Sequence, residues 1–482
     1  MLNKALPRRN MNILRSLKKS VNLNNIRTDD ELALSDHSRN ESPFPSNPLP
    51  PQASTVSTAR LSNGITLVAE SPRQPSSVTM GVLLDVGSRD ETGVTSGALH
   101  SMKTTFYKSF LRTNETINYG MLQMSGGKYE MDFTREHAIY KASCLSHDVV
   151  DIFTMMTDCA LEPKNFVSSN AGASKLPHSH ALAKASNSYS ELTDKLMKAC
   201  YGSRGLGNAL LGEMSNIENL NAYVMQQFQL KHVATENIVV AATGVECPEE
   251  FFELAELRLG GLNYNKNVEE RTPAEFLENE VRNVRKGKVG AQFAVAMEAG
   301  SWKDANLLDF FVISELLGRV EVNEYDPLNT QAGRFYNNVY SKNAFVDALE
   351  ATNQHFTDSG LFVVRGETSS DKLNSTLDLV AKEFGSLGKV NEKELNAAKK
   401  RLKLRLLTAN DSDSARLDEM LKQMSVYGQV DLGSALQKLN AVSTESIKQT
   451  VGRLAKAKMS VVIETENLAN VYNHAQIKKL FG

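Results

Sequence analysis

Hydrophobic positions alternate in some parts of the chain and recur at helical spacing in others. The stretch SVTMGVLLDVGS, residues 77–88, alternates apolar and polar positions and predicts a strand. The next stretch places Leu99, Met102 and Phe106 on one face of a predicted helix. Asn63-Gly64 in LSNGITLVAES predicts a hairpin turn between two strands. These mixed patterns predict an α+β fold.

The second half of the chain repeats the order of elements in the first. Gly87-Ser88 and Gly300-Ser301 each follow a predicted strand and precede an apolar helix, and an amphipathic helix ends in Tyr-Gly at Tyr201 and at Tyr427. Agreement of several elements in order predicts two homologous domains, each an antiparallel-rich sheet covered by helices. We place them at residues 58–263 and 289–482, with the charged segment 264–288 as an exposed linker.

The N-terminal residues differ in composition from the rest. Residues 1–28 are basic, carry no acid, and place apolar residues at helical spacing. This pattern is typical of a mitochondrial transit peptide, and a basic disordered tail is the alternative. Residues 29–57 are rich in proline and serine and predict an extended arm.

Composition excludes several classes of protein. The 482 residues are 41% hydrophobic and 23% charged with a net charge of −2, which gives no basic field for nucleic acid. We find no apolar run of about 20 residues, so no transmembrane span is predicted. The four cysteines form no CxxC or CxxCH pattern, so we predict no disulfide framework and no haem, iron–sulfur or other cofactor.

One short stretch, GALHSMKTTFYKS at residues 97–109, raises the question of a metal site. A zinc peptidase with an HxxEH motif needs two imidazoles one helical turn apart and a glutamate between them as general base. A later carboxylate completes the zinc ligands. This stretch has one histidine, His100, and lysine and threonine at positions 103 and 104.

The segments LSNGITLVAES, DVGSRDE and GALHSMKTTFYKS, in this order, resemble the pitrilysin-type M16 peptidases of mitochondria. That group includes the processing peptidase subunits and the two large core proteins of the cytochrome bc1 complex. The resemblance extends from Thr58 to the C-terminus and implies two domains of the M16 type, which is the LuxS/MPP-like fold.

The same resemblance implies that the catalytic site is degenerate. His100 keeps the first ligand, Lys103 replaces the general base, and Thr104 replaces the second ligand. The distal glutamate position falls near His178 and His180, in a region without any carboxylate. We therefore expect no catalytic residue and no bound metal. An adventitious metal site formed by His100, His178 and His180 is the alternative to ordinary packing histidines.

Two further segments, GVECPEEFFELAE and GRFYNNVYSKNAFVDALEATNQHFTDSGLF, resemble the branch that holds the processing peptidase alpha subunit and core protein 2. In a working alpha subunit a mobile glycine-rich loop before the second segment touches the presequence. Here residues 318–333 have glycine only at their ends. Glu321, Glu324 and Asp326 are candidates for contact with a basic presequence, and a solvated loop is the alternative.

The resemblance thus implies a non-catalytic, core-2-like subunit of mitochondrial complex III, peripheral on the matrix side of the inner membrane. Its expected partners are a core-1 or beta-type M16 chain, cytochrome b, cytochrome c1 and the Rieske protein. The alternative is the alpha subunit of the processing peptidase, which binds presequences while its partner cleaves them. A third possibility, an active metallopeptidase, requires stoichiometric zinc that is lost on His100→Ala.

Overall fold

A computed structural model describes residues 55–71, 77–105, 123–161, 180, 188–217, 219–263, 271–285, 290–321 and 333–482. The predicted transit-like segment, 1–28, and nearly all of the predicted arm, 29–57, lie outside these ranges. The last residues of that arm differ from the prediction, because Val56 already begins the first strand.

The first sheet has six strands in the order β1-β2-β6-β3-β5-β4. Only β2 and β6 run parallel; the other pairs are antiparallel. The predicted hairpin joins β1 to β2, and Gly64 there adopts a positive φ of 93° that favours glycine. The strands are β1 Val56–Arg60, β2 Thr66–Glu70, β3 Ser77–Leu84, β4 Lys128–Phe133, β5 Ala138–Leu145 and β6 Ile238–Thr243.

The second sheet, also of six described strands, has the order β7-β12-β8-β11-β10-β9, and five of its strands correspond to the first sheet, β9 being added at one edge where the first sheet has β1 at the other. Again one pair, β7 with β12, is parallel and the rest are antiparallel. The strands are β7 Glu280–Val284, β8 Ala291–Ala299, β9 Arg319–Glu321, β10 Val346–His355, β11 Gly360–Thr368 and β12 Met459–Thr465. The predicted α+β fold with two antiparallel-rich sheets is confirmed.

Helices cover both sheets. Those in the first part of the described chain are α1 Ala98–Thr105, α2 Val149–Leu161, α3 Ser188–Tyr201, α4 Met214–Ile217, α5 Ala222–His232 and α6 Pro248–Leu259. Those in the second part are α7 Leu307–Leu317, α8 Leu373–Ser386, α9 Glu392–Ala409, α10 Asp413–Tyr427, α11 Leu432–Ala441, α12 Thr444–Lys456 and α13 His474–Phe481. A π-helical turn, Phe335–Val339, precedes β10.

Helices cover both faces of each sheet. Alternate residues of a strand point to opposite sides, so each strand contributes side chains to both of these cores. On one face of the first sheet, Met80 and Tyr140 pack with α1, α2, α5 and α6. On its other face, Val68 and Leu83 pack against α10. One face of the second sheet packs against α7, α8 and α12, and its other face against α3. The two helices that end in Tyr-Gly, α3 and α10, are therefore exchanged between the halves: each covers the sheet of the other half.

The predicted linker, 264–288, differs from the structure. We expected an exposed connector, but its residues Glu280–Val284 form β7 and pair with β12. Phe276 is buried against α3, because its ring packs on Tyr201 at 6.0 Å between centroids. Arg271 in this segment pairs with Asp85 and Asp90 of the first half.

Candidate functional site

The candidate site lies on α1, whose beginning is fixed by a buried carboxylate. Glu91 accepts hydrogen bonds from the backbone N–H groups of Gly97 at 2.8 Å and Leu99 at 3.0 Å. Burial raises the pKa of Glu91 to about 8, against the opposing effect of these N–H donors. Gly97 adopts a φ of 87°, so glycine is favoured at the turn into the helix.

The rings of His100 and His180 lie together beneath this helix. Their centroids are 5.7 Å apart and their planes are nearly perpendicular, at 79°. Both side chains are buried, and Nε2 of His180 lies 3.1 Å from the carbonyl oxygen of Gly212. Burial, with smaller contributions from His180 and Lys103, lowers the pKa of His100 to about 4. The His100 ring, expected at the first-ligand position, is therefore uncharged at neutral pH. It lies beside the imidazole of His180, near which the distal position is expected.

Lys103, which the sequence resemblance puts at the general-base position, faces β4. Its Nζ donates to Oδ1 of Asp132 at 2.7 Å and lies 6.0 Å from the centre of the Phe133 ring. Partial burial acts to raise the pKa of Asp132, but the hydrogen bond and charge of Lys103 hold it below its usual range. An ammonium group has only donors, so Lys103 in this ion pair cannot accept a proton from water.

The residues of this site do not fit a catalytic zinc ion. Such a site takes three protein ligands, commonly two histidines and a carboxylate, and leaves one position open. Within the ranges that the structure describes, no group of three or more His, Cys, Asp or Glu side chains is placed to hold a metal ion. The side chain of Thr104 and all of His178 lie outside the described parts of the chain.

The three acidic candidates for presequence contact fall at the edge of the described residues. Glu321 is the last residue of β9, and its side chain is not described; Glu324 and Asp326 lie outside the described ranges. At the two ends of the segment, a Cβ on Gly333 would lie 2.3 Å from the carbonyl oxygen of Leu317. Gly333 therefore lies against the end of α7, and its close contact with the backbone of Leu317 leaves no room for a side chain.

A group of charged residues joins the two halves, and the sequence carries no signal for it. Arg89 binds the buried Glu136 of its own half and makes two hydrogen bonds to Asp358 of the other, at 3.1 and 2.9 Å. Arg271 donates to Asp85 and to Asp90, at distances between 2.8 and 2.9 Å. Pairs so distant along the chain have no local pattern that could predict them.

A second histidine, His137, has an aspartate and a serine nearby but does not form a catalytic triad. Its Nε2 lies 3.6 Å from Oδ1 of Asp85 and 3.4 Å from Oγ of Ser425. In a catalytic triad the nucleophilic hydroxyl and the orienting carboxylate contact opposite ring nitrogens of the histidine, and here Ser425 and Asp85 both lie near Nε2. Burial lowers the pKa of His137 to about 4, so the ring is neutral at neutral pH.

Comparison with known protein families gives two consecutive matches. The model described as insulinase, peptidase family M16, matches residues 66–214, the part that contains His100 and His180. The model described as the peptidase M16 inactive domain matches residues 219–402. Among the described residues, no helix is both long enough and apolar enough to cross a membrane.

Curated relatives and a solved structure agree with these matches. The chain is 26% identical over 429 residues to the alpha subunit of the mitochondrial-processing peptidase of Solanum tuberosum, covering 86% of this chain and 83% of the relative. It is 25% identical to the beta subunit of the mitochondrial-processing peptidase of Blastocladiella emersonii, covering 81% of this chain and 84% of the relative. A chain of complex III2 from Candida albicans superposes with a TM-score of 0.78 at 16% identity, covering 88% of this chain and 99% of that one.

Proposed function

Because the chain belongs to the M16 peptidase family, we propose that it is a non-catalytic, core-2-like subunit of mitochondrial complex III, the ubiquinol–cytochrome c reductase. The observation that carries the proposal is the ion pair of Lys103 with Asp132 at the general-base position. Beside this ion pair lie the imidazoles of His100 and His180. A catalytic zinc site of this type would need two histidine ligands and a carboxylate there.

The chemistry at α1 argues against peptide hydrolysis by this chain alone. Loss of a general base by itself lowers the rate of such reactions about 10²- to 10⁴-fold. Here the second ligand of the motif is also replaced by threonine, and the distal position holds His180. Losing ligands removes the metal that would activate water, so the two effects act together.

A structural role accounts for the remaining features. Two sheets, each covered on both faces and joined by ion pairs such as the buried one of Arg416 with Glu70, form a support for partner chains. The superposed complex III2 chain is matched over almost its entire length. We place this chain at the matrix side of the mitochondrial inner membrane, paired with a core-1 or beta-type M16 chain, and in contact with cytochrome b, cytochrome c1 and the Rieske protein.

The alternative function is the alpha subunit of the mitochondrial processing peptidase. The match to the Solanum tuberosum alpha subunit, across 86% of this chain, favours it. In this role the chain would help to hold a presequence, with Glu321, Glu324 and Asp326 as candidate contacts, while the partner cleaves. One assembly could combine both roles.

Native electrophoresis of gently solubilised mitochondria separates the two functions. Migration of the chain with haem b and haem c1 in a large membrane complex is the expected result. Migration as a heterodimer without haem, together with cleavage of a synthetic presequence, would instead identify the peptidase subunit. A cleavage assay on the haem-containing band tests whether that complex also processes presequences.

A further inference from the structure

Helix α9 has a basic outward face. Its inward residues Leu395, Ala398 and Leu402 are buried, and the helix packs against α7. From Leu395 to Asn410 the sequence LNAAKKRLKLRLLTAN contains five cations and no acid. A surface helix of a rigid domain gains nothing in packing from such a run, so the outward face requires an explanation of its own.

Two of the five cations are bound to the protein core. Arg405 pairs with the buried carboxylate of Glu315 on α7 at 2.7 Å, and Arg401 donates to the carbonyl oxygen of Glu315 at 2.8 Å. A third, Lys399, donates to the carbonyl oxygen of Asn440 on α11 at 3.0 Å. These contacts fix the rotation of α9 about its axis and leave the opposite face directed to solvent.

The opposite face carries lysines and leucines together. Lys393, Lys400 and Leu404 follow one another at i, i+7 and i+11, positions that share a face, and Lys403 and Leu407 lie beside them. Leu404 is 66% exposed and Leu407 is 40% exposed. Among the described residues no acid forms an ion pair with any of the three lysines. Exposed leucines beside these lysines are complementary to a surface that is anionic at its boundary and apolar beneath it.

We propose that Lys393, Lys400, Lys403, Leu404 and Leu407 form a docking surface for an anionic phospholipid leaflet. Lysine is depleted at the cores of protein–protein interfaces, which favours lipid over a partner chain. Its ammonium is strongly hydrated and can stay among headgroups while its stem and the leucines reach toward the acyl chains. Each lysine close to such a leaflet contributes about a fivefold gain in partitioning. This inference is independent of membership in complex III.

The test is co-sedimentation of the purified full chain with vesicles. One set contains phosphatidylcholine with about 30% phosphatidylglycerol, and the other contains phosphatidylcholine alone. We expect binding to the anionic set only, lost at high salt because exposed charges are screened. The variant Lys393→Gln/Lys400→Gln/Lys403→Gln should bind roughly 100-fold more weakly. Leu404→Gln should weaken binding at every salt concentration at which the wild type still binds, since it removes the apolar contact.

A matched control keeps the change in net charge the same. The variant Lys128→Gln/Lys382→Gln/Lys479→Gln removes three exposed lysines from other elements and should bind like the wild type. All altered residues are exposed, and circular dichroism with thermal unfolding checks that each variant folds. Equal loss in the control, or equal binding of the wild type to both vesicle sets, would overturn the proposal.

The basic N-terminal segment could bind anionic vesicles by itself, so a second background is needed. In it Arg8, Arg9, Lys18 and Lys19 are replaced by Gln in the full chain. The α9 substitutions should lower binding in this background as in the native one. If they change nothing there, the N-terminal segment carries the binding and the proposed surface does not exist.

Discussion

Arg416 on α10 binds the carboxylate of Glu70 on β2, with Nε 3.1 Å from Oε2 and 3.2 Å from Oε1. Both side chains are buried. The two residues come from opposite halves of the chain, so the pair fastens the exchanged helix to the sheet that it covers.

Removing one partner of this pair should be costly. Arg416→Ala leaves the Glu70 carboxylate buried without its cation, and we expect a loss of about 3–5 kcal/mol in the free energy of unfolding. Chemical denaturation measures it. The double variant Arg416→Met/Glu70→Met, which removes both charges, should lose much less. Equal losses in the two variants would mean that packing, and not the uncompensated charge, determines the effect.

The exchange of α3 and α10 should make the two halves unfold together. Leu421 on α10 and Leu196 on α3 are both buried against the opposite sheet. Leu421→Ala should cost about 2–5 kcal/mol. Although Leu421 packs on the first sheet, the fluorescence of Trp302, the only tryptophan and a residue of the second half, should shift to the same lower midpoint as the far-ultraviolet signal. Two separate transitions would show that the halves are independent. Leu196→Ala is the reciprocal test.

Local pattern predicted the elements, but not which surfaces they cover. The alternation in SVTMGVLLDVGS predicted β3, and the Asn63-Gly64 turn lies between β1 and β2. The amphipathic pattern of α3 shows that one of its faces is apolar. It does not show which sheet this face packs against, because either sheet could bury it. Its position on the second sheet depends on contacts such as the hydrogen bond of Tyr201 with Ser359, 158 residues away. For the same reason the buried part of the predicted linker was missed.

The candidate site was predictable to a similar extent. The resemblance to the M16 family singled out His100 and the region of His180, and in the structure the centroids of these two rings are 5.7 Å apart. The partner of Lys103, Asp132 on β4, could not be predicted, because it depends on the register of β4 beside α1. Nor could Glu91 at the start of α1, since an acid before a helix is common and its burial has no sequence signal.

Glu91 should give the stability of the protein a pH dependence that its amide variant lacks. Burial raises its pKa from the ordinary 4.5 to about 8 in the folded state. The unfolded chain therefore releases the proton first, so this group's stabilising contribution is full below pH 4.5 and is lost as pH rises toward 8. In Glu91→Gln this loss should disappear, which reduces the downward slope by up to about 1.4 kcal/mol per pH unit.

Denaturant midpoints of both proteins between pH 5 and pH 8.5 measure this difference. The variant must be compared with the wild type at each pH, because the other titrating groups contribute equally to both. Identical slopes would mean that the backbone N–H groups of Gly97 and Leu99 keep Glu91 ionised, and would contradict its raised pKa.

Restoring the zinc-binding residues should restore zinc. The variant Lys103→Glu/Thr104→His/His180→Glu rebuilds the HxxEH motif on α1 and puts a carboxylate at the distal position, where His180 now meets His100. We expect close to one zinc per chain after dialysis against trace metal, and substantially less than one in the wild type. Metal content by mass spectrometry of the purified proteins is the measurement.

His100→Ala in the rebuilt variant is the matched control, and it should lose the metal because the first ligand is removed. Each substitution lies on or beside α1, so thermal unfolding must first show that the rebuilt protein is folded. Stoichiometric zinc in the wild type, lost on His100→Ala, would contradict the degenerate site and favour an active peptidase. Zinc in the rebuilt variant alone would show that α1 keeps the geometry of a metal site and that residues 103, 104 and 180 are what prevent binding.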